Sequence, residues 1–230
     1  MSQPFLFSVI DKAVFDFDLI KPGDNILVGA SGGKDSTVLI EYLAMRKKRR
    51  SADFNFTALF VQTEFGGGFP EGIKKRFDEL GVDFKTIKID VQDRLKPGRK
   101  MNCFWCSMQR RKELLHFAME NGFNKIALGH HMDDILETFL MNALFQENLA
   151  AMRVNMAYDK YPVRIIRPLC YADLKTIIAY AEENGFMGFT CTCTFQDNSA
   201  RKDARRRLEL LTSGDDRLKR HLMTAIKPLL

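Results

Sequence analysis

The sequence has no run of eighteen apolar residues, so no membrane-spanning helix is expected. Cysteines number only five in 230 residues, too few for a disulfide scaffold, and the count is odd. Seven prolines and fifteen glycines leave no room for a long linker. Neither an internal repeat nor a low-complexity segment is present. The N-terminus, MSQPFLFSVIDKAVFDFDL, lacks the clean apolar core of a signal peptide because acids interrupt it. These absences point to a cytoplasmic protein with no membrane partner. In that reducing setting, paired cysteines usually mean metal or redox chemistry.

What is present is an ordinary globular balance, 46% hydrophobic and 28% charged residues. The 35 Lys and Arg exceed the 29 Asp and Glu, an excess that favours an anionic partner but is too small to identify one. The length suits one α/β domain with decorations. Helical spacing of Ile10, Val14 and Phe17 marks an amphipathic helix over about the first eighteen residues. Strands are expected over 25–30, 56–61, 84–89, 125–129 and 163–167, and helices over 36–45, 71–80, 106–121, 132–145 and 172–184. A basic helical remainder follows. This alternation implies a doubly wound, mainly parallel sheet with helices on both faces. The divisions expected are an N-terminal helix over 1–20, a nucleotide-binding domain over 21–185 and a cysteine-containing basic segment over 186–230.

Between the first strand and its helix lies Ser31-Gly32-Gly33-Lys34-Asp35-Ser36. Two glycines let backbone approach an anion, and the helix N-terminus supplies free N–H groups. Ser31 and Ser36 add hydroxyls, Lys34 a charge, and Asp35 a carboxylate suited to the Mg²⁺ that accompanies polyphosphates. The glycine spacing fits neither the Walker A loop nor the dinucleotide fingerprint. A plain tight turn is the alternative, but it has no need of Lys-Asp-Ser after two glycines.

Gly129-His130-His131-Met132-Asp133-Asp134 stands at another strand end and opens a helix. An acidic helix start is one reading. The other puts this strand end beside the first one, where a carboxylate shares Mg²⁺ and Gly129 lets a nucleotide approach. His130 or His131 could serve as acid–base groups or simply pack. Cys103-Phe104-Trp105-Cys106 begins a helix after a basic loop, and a CxxC pair can chelate a soft metal. One pair cannot complete a site alone; Cys191 and Cys193 are the other candidates, and Cys170 reads as a buried small hydrophobe. Seven basic and no acidic residues lie between Arg94 and Lys112, a phosphate-binding pattern placed next to the cysteines. Clusters at 46–50 and 201–207 read as a solvated helix end and a third basic patch. Phe104 and Trp105 either stack an extruded base or pack the CxxC turn.

SGGKDS resembles the PP-loop of the ATP pyrophosphatases. The stretches DFDLIKPGDNILVGASGGKDS, GFPEGIKKRFDELGVDFK, CFWCSMQRR, KIALGHHMDDILETFLMN and IIRPLCYADLKTI together resemble the tRNA 2-thiocytidine synthetases. That resemblance implies an enzyme that uses ATP to adenylate the C2 oxygen of a cytidine in tRNA and replaces it with sulfur. It implies Ala30, Ser31, Gly32, Gly33, Lys34, Asp35, Ser36 and Gly129 as nucleotide-binding, with Mg²⁺ on Asp35. It also implies Lys34, Asp35, Cys103, Cys106, Asp133 and Asp134 as catalytic. A 4Fe-4S cluster would sit on Cys103, Cys106 and a third cysteine, Cys193 fitting better than Cys191, with one iron left open for sulfur. Zinc is the weaker alternative. Partners implied are tRNA, a sulfur donor such as a cysteine desulfurase or sulfide, and a second copy of the chain. Competing readings are another PP-loop ligase or thiolase acting on a different tRNA base, or a non-catalytic iron–sulfur or zinc nucleic-acid-binding module.

Overall fold

In a computed structural model of the chain, the residues described are 3–49, 53–96, 98, 100–158, 161–187 and 199–230. Among them the order is α1 (Phe5–Asp16), β1 (Asp24–Gly29), α2 (Lys34–Lys47), β2 (Phe54–Thr63), α3 (Glu71–Leu80) and β3 (Asp83–Ile89). Then come α4 (Cys103–Glu120), β4 (Lys125–Ala127), α5 (Met132–Phe145), β5 (Asn155–Tyr158) and β6 (Tyr161–Ile166). The chain ends with α6 (Leu174–Glu183), α7 (Ser199–Thr212) and α8 (Asp216–Ala225). The strands form one sheet in the order β3-β2-β1-β4-β6-β5, parallel except for the β5–β6 pair.

β1 alternates its apolar side chains between two cores. Ile26 and Val28 face a core shared with α1, α2 and α5, while Leu27 meets Leu114, Leu115 and Ala118 of α4 on the opposite face. Burial on both faces is why these strands read as apolar runs. The chain winds outward from β1 to β3, then returns to start β4 on the other side of β1. The switch point thus falls between the carboxyl ends of β1 and β4, where open α/β sheets bind ligands.

β5 is absent from the sequence expectation. It is a four-residue antiparallel edge strand with mostly half-buried side chains, so it carries no apolar run or alternation. α4 begins earlier than expected because the Asn102 side chain caps it, accepting from Trp105 N at 2.8 Å. A 3₁₀ turn (Pro168–Tyr171) precedes α6, whose start is set by Asp173 accepting from Thr176 N at 2.7 Å.

α1 is part of the main core. Leu6, Phe7, Ile10, Ala13 and Val14 are buried, and each fully buried large side chain contributes about 2 kcal/mol. Phe7, Ile10 and Val14 are therefore used by the chain's own core, whereas Phe5 at the start of the helix stays exposed. Asp11 on the outer side of α1 binds Arg46 at 2.6 Å and Arg49 at 2.8 Å. The basic end of α2 thus clamps α1 and is not only a solvated helix end. No described helix is long and apolar enough to cross a membrane.

Candidate functional site

The β1–α2 turn is tied together by its own hydroxyls. Ser31 N donates to Ser36 Oγ at 3.1 Å, the two serine oxygens lie 2.9 Å apart, and Ser36 Oγ donates to Gly33 O at 3.0 Å. These serines therefore shape the loop rather than stand as free donors. Gly33 caps α2 with no side-chain hydrogen bond, leaving the first N–H groups of the helix open to an anion. Gly32 has φ +79°, and a Cβ there would lie 2.8 Å from Pro70 Cδ. Glycine is required twice over, by the backbone conformation and by the loop entering α3.

A cavity of about 300 Å³ opens from this turn. One wall is Gly29, Ala30, Ser31, Asp35 and Ser36; the opposite wall is Ser107, Arg110 and Arg111 of α4; Gly129, His130 and Asp134 close the β4 side. Gly129 has a tighter reason than nucleotide approach. A Cβ there would lie 3.1 Å from the Asp35 carbonyl carbon and the Ser36 nitrogen, so glycine lets the β4 end pack on the start of α2. Lys34 is not in the wall. Its ammonium lies 3.0 Å from Asp35 Oδ1. That oxygen is buried without a hydrogen bond among the described residues, a carboxylate site that suits a bound cation.

The adjacent acids part company. Asp133 points away from the cavity: Oδ2 accepts Leu174 N at 2.9 Å and Oδ1 binds the buried Lys219 ammonium of α8 at 2.9 Å. Asp134 stays at the cavity, and its Oδ2 accepts His131 N at 3.1 Å in a reciprocal cap of α5. Burial raises the pKa of Asp134, but the histidines beside it, Arg201 and that backbone N–H hold it below the ordinary value. His131 is buried behind the wall, between Asp133 and Asp134. Glu137, one turn on and buried, binds Arg205 of α7 at 2.6 Å, with Arg201 at 3.7 Å. Arg206 and Arg207 pair with Asp203 at 2.8 and 2.6 Å. Much of the C-terminal basic cluster is thus engaged within the chain, which its one-sided charge did not reveal.

α4 carries the cysteines on its first turn. Cys103 and Cys106 are both part-exposed, and Cys106 and Trp105 rest against the second core. Trp105 Nε1 donates to Val91 O at 3.3 Å, whereas Phe104 is 75% exposed. The two aromatics therefore divide the readings: Trp105 packs the turn and Phe104 faces outward. With 1.5 Å rise per residue, Cys103 and Arg110 lie about 10 Å apart along one helix face. The arginines of the 94–112 run were expected on tRNA phosphates, yet Arg110 and Arg111 reach the cavity. A helical period of three to four residues counted from Cys103 and Cys106 carries that signal in the sequence.

Two part-exposed thiols one turn apart are a donor set that fits a soft metal. Cys191 and Cys193 lie outside the described residues. Among the described residues no three His, Cys, Asp or Glu side chains are grouped to hold a metal ion. Cys170 is fully buried, and burial pushes its thiol pKa up, as befits a core residue.

Residues 8–209 match the PP-loop domain family. The chain is 33% identical over 222 residues to the tRNA-cytidine(32) 2-sulfurtransferase of Citrifermentans bemidjiense, covering 94% of this chain and 87% of that protein. It is 37% identical over 220 residues to the tRNA-cytidine(32) 2-sulfurtransferase of Anaeromyxobacter dehalogenans, covering 94% and 76%. The fold is shared with the U34-tRNA thiolase NcsA from Methanococcus maripaludis, solved with its 4Fe-4S cluster, at a TM-score of 0.80, 22% identity and coverage of 97% and 78%.

Proposed function

The chain belongs to the tRNA-cytidine(32) 2-sulfurtransferase family of PP-loop proteins, and on that premise we propose that it is an ATP-dependent tRNA 2-thiolation enzyme. One observation carries the reading. A single helix, α4, runs from the cysteine pair to two arginines in the wall of a cavity whose other wall is the glycine-rich turn. Nucleotide chemistry and sulfur chemistry are thereby addressed to the same place.

ATP lies with its phosphates on the open N–H groups of the turn and the start of α2. Asp35 would hold Mg²⁺, whose charge would offset that of the phosphates. The C2 oxygen of the target cytidine attacks the α-phosphorus and pyrophosphate departs, so that a poor leaving oxygen becomes a good one. Arg110 and Arg111 face the negative charge that develops, and fixed cations aimed at such charge are worth more than mobile solvent. Lys34 pairs with Asp35, its ammonium 3.0 Å from Oδ1. Cys103, Cys106 and Cys193 would hold a 4Fe-4S cluster, which would supply the sulfur-carrying chemistry. Phe104 offers an exposed ring on which a base taken from its stack can rest. With tRNA as substrate, the working compartment is the cytoplasm.

The test is mass spectrometry of tRNA nucleosides from cells with and without the gene. Loss of 2-thiocytidine alone is expected; unchanged 2-thiocytidine would overturn the reading, and loss of another thiolated base would move it to that base.

A further inference from the structure

His130 and His131 are neighbours in sequence with different surroundings. His130 lies in the cavity wall at the end of β4. Behind it, Nδ1 is 3.2 Å from Nε of Arg167, which follows β6 and is only 4% exposed. Arg167 also donates from Nη1 to the Arg153 carbonyl, and it makes no ion pair among the described residues. An arginine N–H can only donate. Nδ1 of His130 must therefore be the acceptor, and the ring proton sits on Nε2. Arg167 is not among the cavity-lining residues, and with Nδ1 held by it, Nε2–H is the one N–H that His130 has to offer a ligand in the cavity.

We propose that Arg167 locks His130 in the Nε2–H tautomer and that this N–H donates to a phosphoryl oxygen of the nucleotide in the cavity. His130 is then a neutral, pre-aimed oxyanion donor, and Arg167 is its positioning residue. This rests on the ATP-dependent reading above and assigns it a group that contacts the reacting phosphate. The surroundings agree. Burial first, then the Arg167 charge, with Arg111 and Arg201 in the same sense, outweigh the pull of Asp134 and bring the imidazole down to about 3. In a neutral ring whose Nδ1 accepts from Arg167 and whose Nε2 carries the proton, no nitrogen lone pair is left to take a proton, so His130 is a donor and not a general base. A fixed donor instead costs no reorganisation during the reaction.

The primary test is proton–nitrogen correlation NMR on full-length protein labelled with ¹⁵N-histidine. The chain has four histidines, and the signals missing from His130→Gln identify the one of interest. The expected result is a neutral ring protonated on Nε2 between pH 6 and 8, with that proton shifting when Mg²⁺ and a non-hydrolysable ATP analogue are added. In Arg167→Lys, which lacks the directed Nε–H, the ring should become a mixture of tautomers. The second readout is tRNA-dependent pyrophosphate release. His130→Gln, whose amide nitrogen reaches the Nε2 position, should retain kcat within about tenfold. His130→Asn, which reaches only the Nδ1 position, should lose about 100-fold with little change in KM for ATP. An Nδ1–H or cationic ring at pH 7, an Nε2 signal unmoved by saturating analogue, or equal losses in the Gln and Asn variants would overturn the proposal. If wild-type protein binds the analogue but releases no pyrophosphate with tRNA, the functional reading fails separately, while the tautomer result still decides the Arg167 lock.

Discussion

The β1–α2 turn and the first turns of α4 face each other across one cavity, but they hold their chemistry in different materials. The turn works through backbone: glycines at 32 and 33, hydroxyls that bond one another, and the open end of a helix that is buried from Ser36 to Ala44. The α4 wall works through side chains, with Cys103, Cys106, Arg110 and Arg111 spaced along an otherwise independent helix. A backbone site cannot be altered without deforming the fold around it, whereas a side-chain site can be edited one function at a time.

The largest effects should separate these two walls. Gly32→Val places a branched side chain at φ +79° against Pro70 and should abolish nucleotide binding and thiolation together, read by calorimetry with ATP and by nucleoside mass spectrometry. Cys103→Ala should abolish thiolation while leaving ATP binding at the wild-type level. A Cys103→Ala protein that also failed to bind ATP would erase the distinction.

The same contrast recurs between adjacent acids. Asp133→Asn removes a partner from the buried Lys219, which keeps Glu209 at 2.5 Å, so the expected loss is about 3 kcal/mol in denaturant unfolding, the low end for a broken buried pair. Asp134→Asn should cost much less stability and instead slow pyrophosphate release. Equal stability losses would show that both acids serve the fold.

Smaller effects sharpen the α4 side. Arg111→Ala should raise KM for ATP about tenfold, consistent with about 1.5 kcal/mol for a charge-assisted hydrogen bond. Phe104→Ala should weaken tRNA binding by about 1 kcal/mol, the low end for base stacking, with ATP binding unchanged. A pH effect tests His130 separately. His130 is neutral in the fold down to about 3 against an ordinary 6.5, so between those values the unfolded chain binds the extra proton. Stability should therefore be fully present above pH 6.5 and fall as pH drops through the window, more steeply in wild type than in His130→Gln.

The parallel core was readable because β1 and β2 lie inside the sheet and are almost wholly buried, which leaves short apolar runs bounded by turn residues. β5 left no such trace, being short, polar on one side and held by its neighbour. The glycine-rich turn was legible because backbone sites demand particular residue types at particular places. Asp133 and Asp134 were not separable, since adjacent identical residues carry no sign of which one Lys219 will claim. Arg167 lies in the stretch IIRPLCYADLKTI, but nothing in that stretch says what the arginine faces; it acquires meaning only through the histidine in front of it.

By itself the sequence determined the alternating architecture, the glycine-rich turn, the cysteine pair at the start of α4 and the family to which they belong. Each of these depends on local residue type and spacing. Only the tertiary structure decided which charges are free to act. Asp133, Arg201, Arg205, Arg46 and Arg49 are all paired with residues far away in the chain, and Asp134 divides between the cap of α5, Arg201 and the cavity, while Arg110 and Arg111 line the cavity. Charge pairing at a few ångströms is set by how helices pack on the sheet, and composition counts every charge alike wherever it is spent.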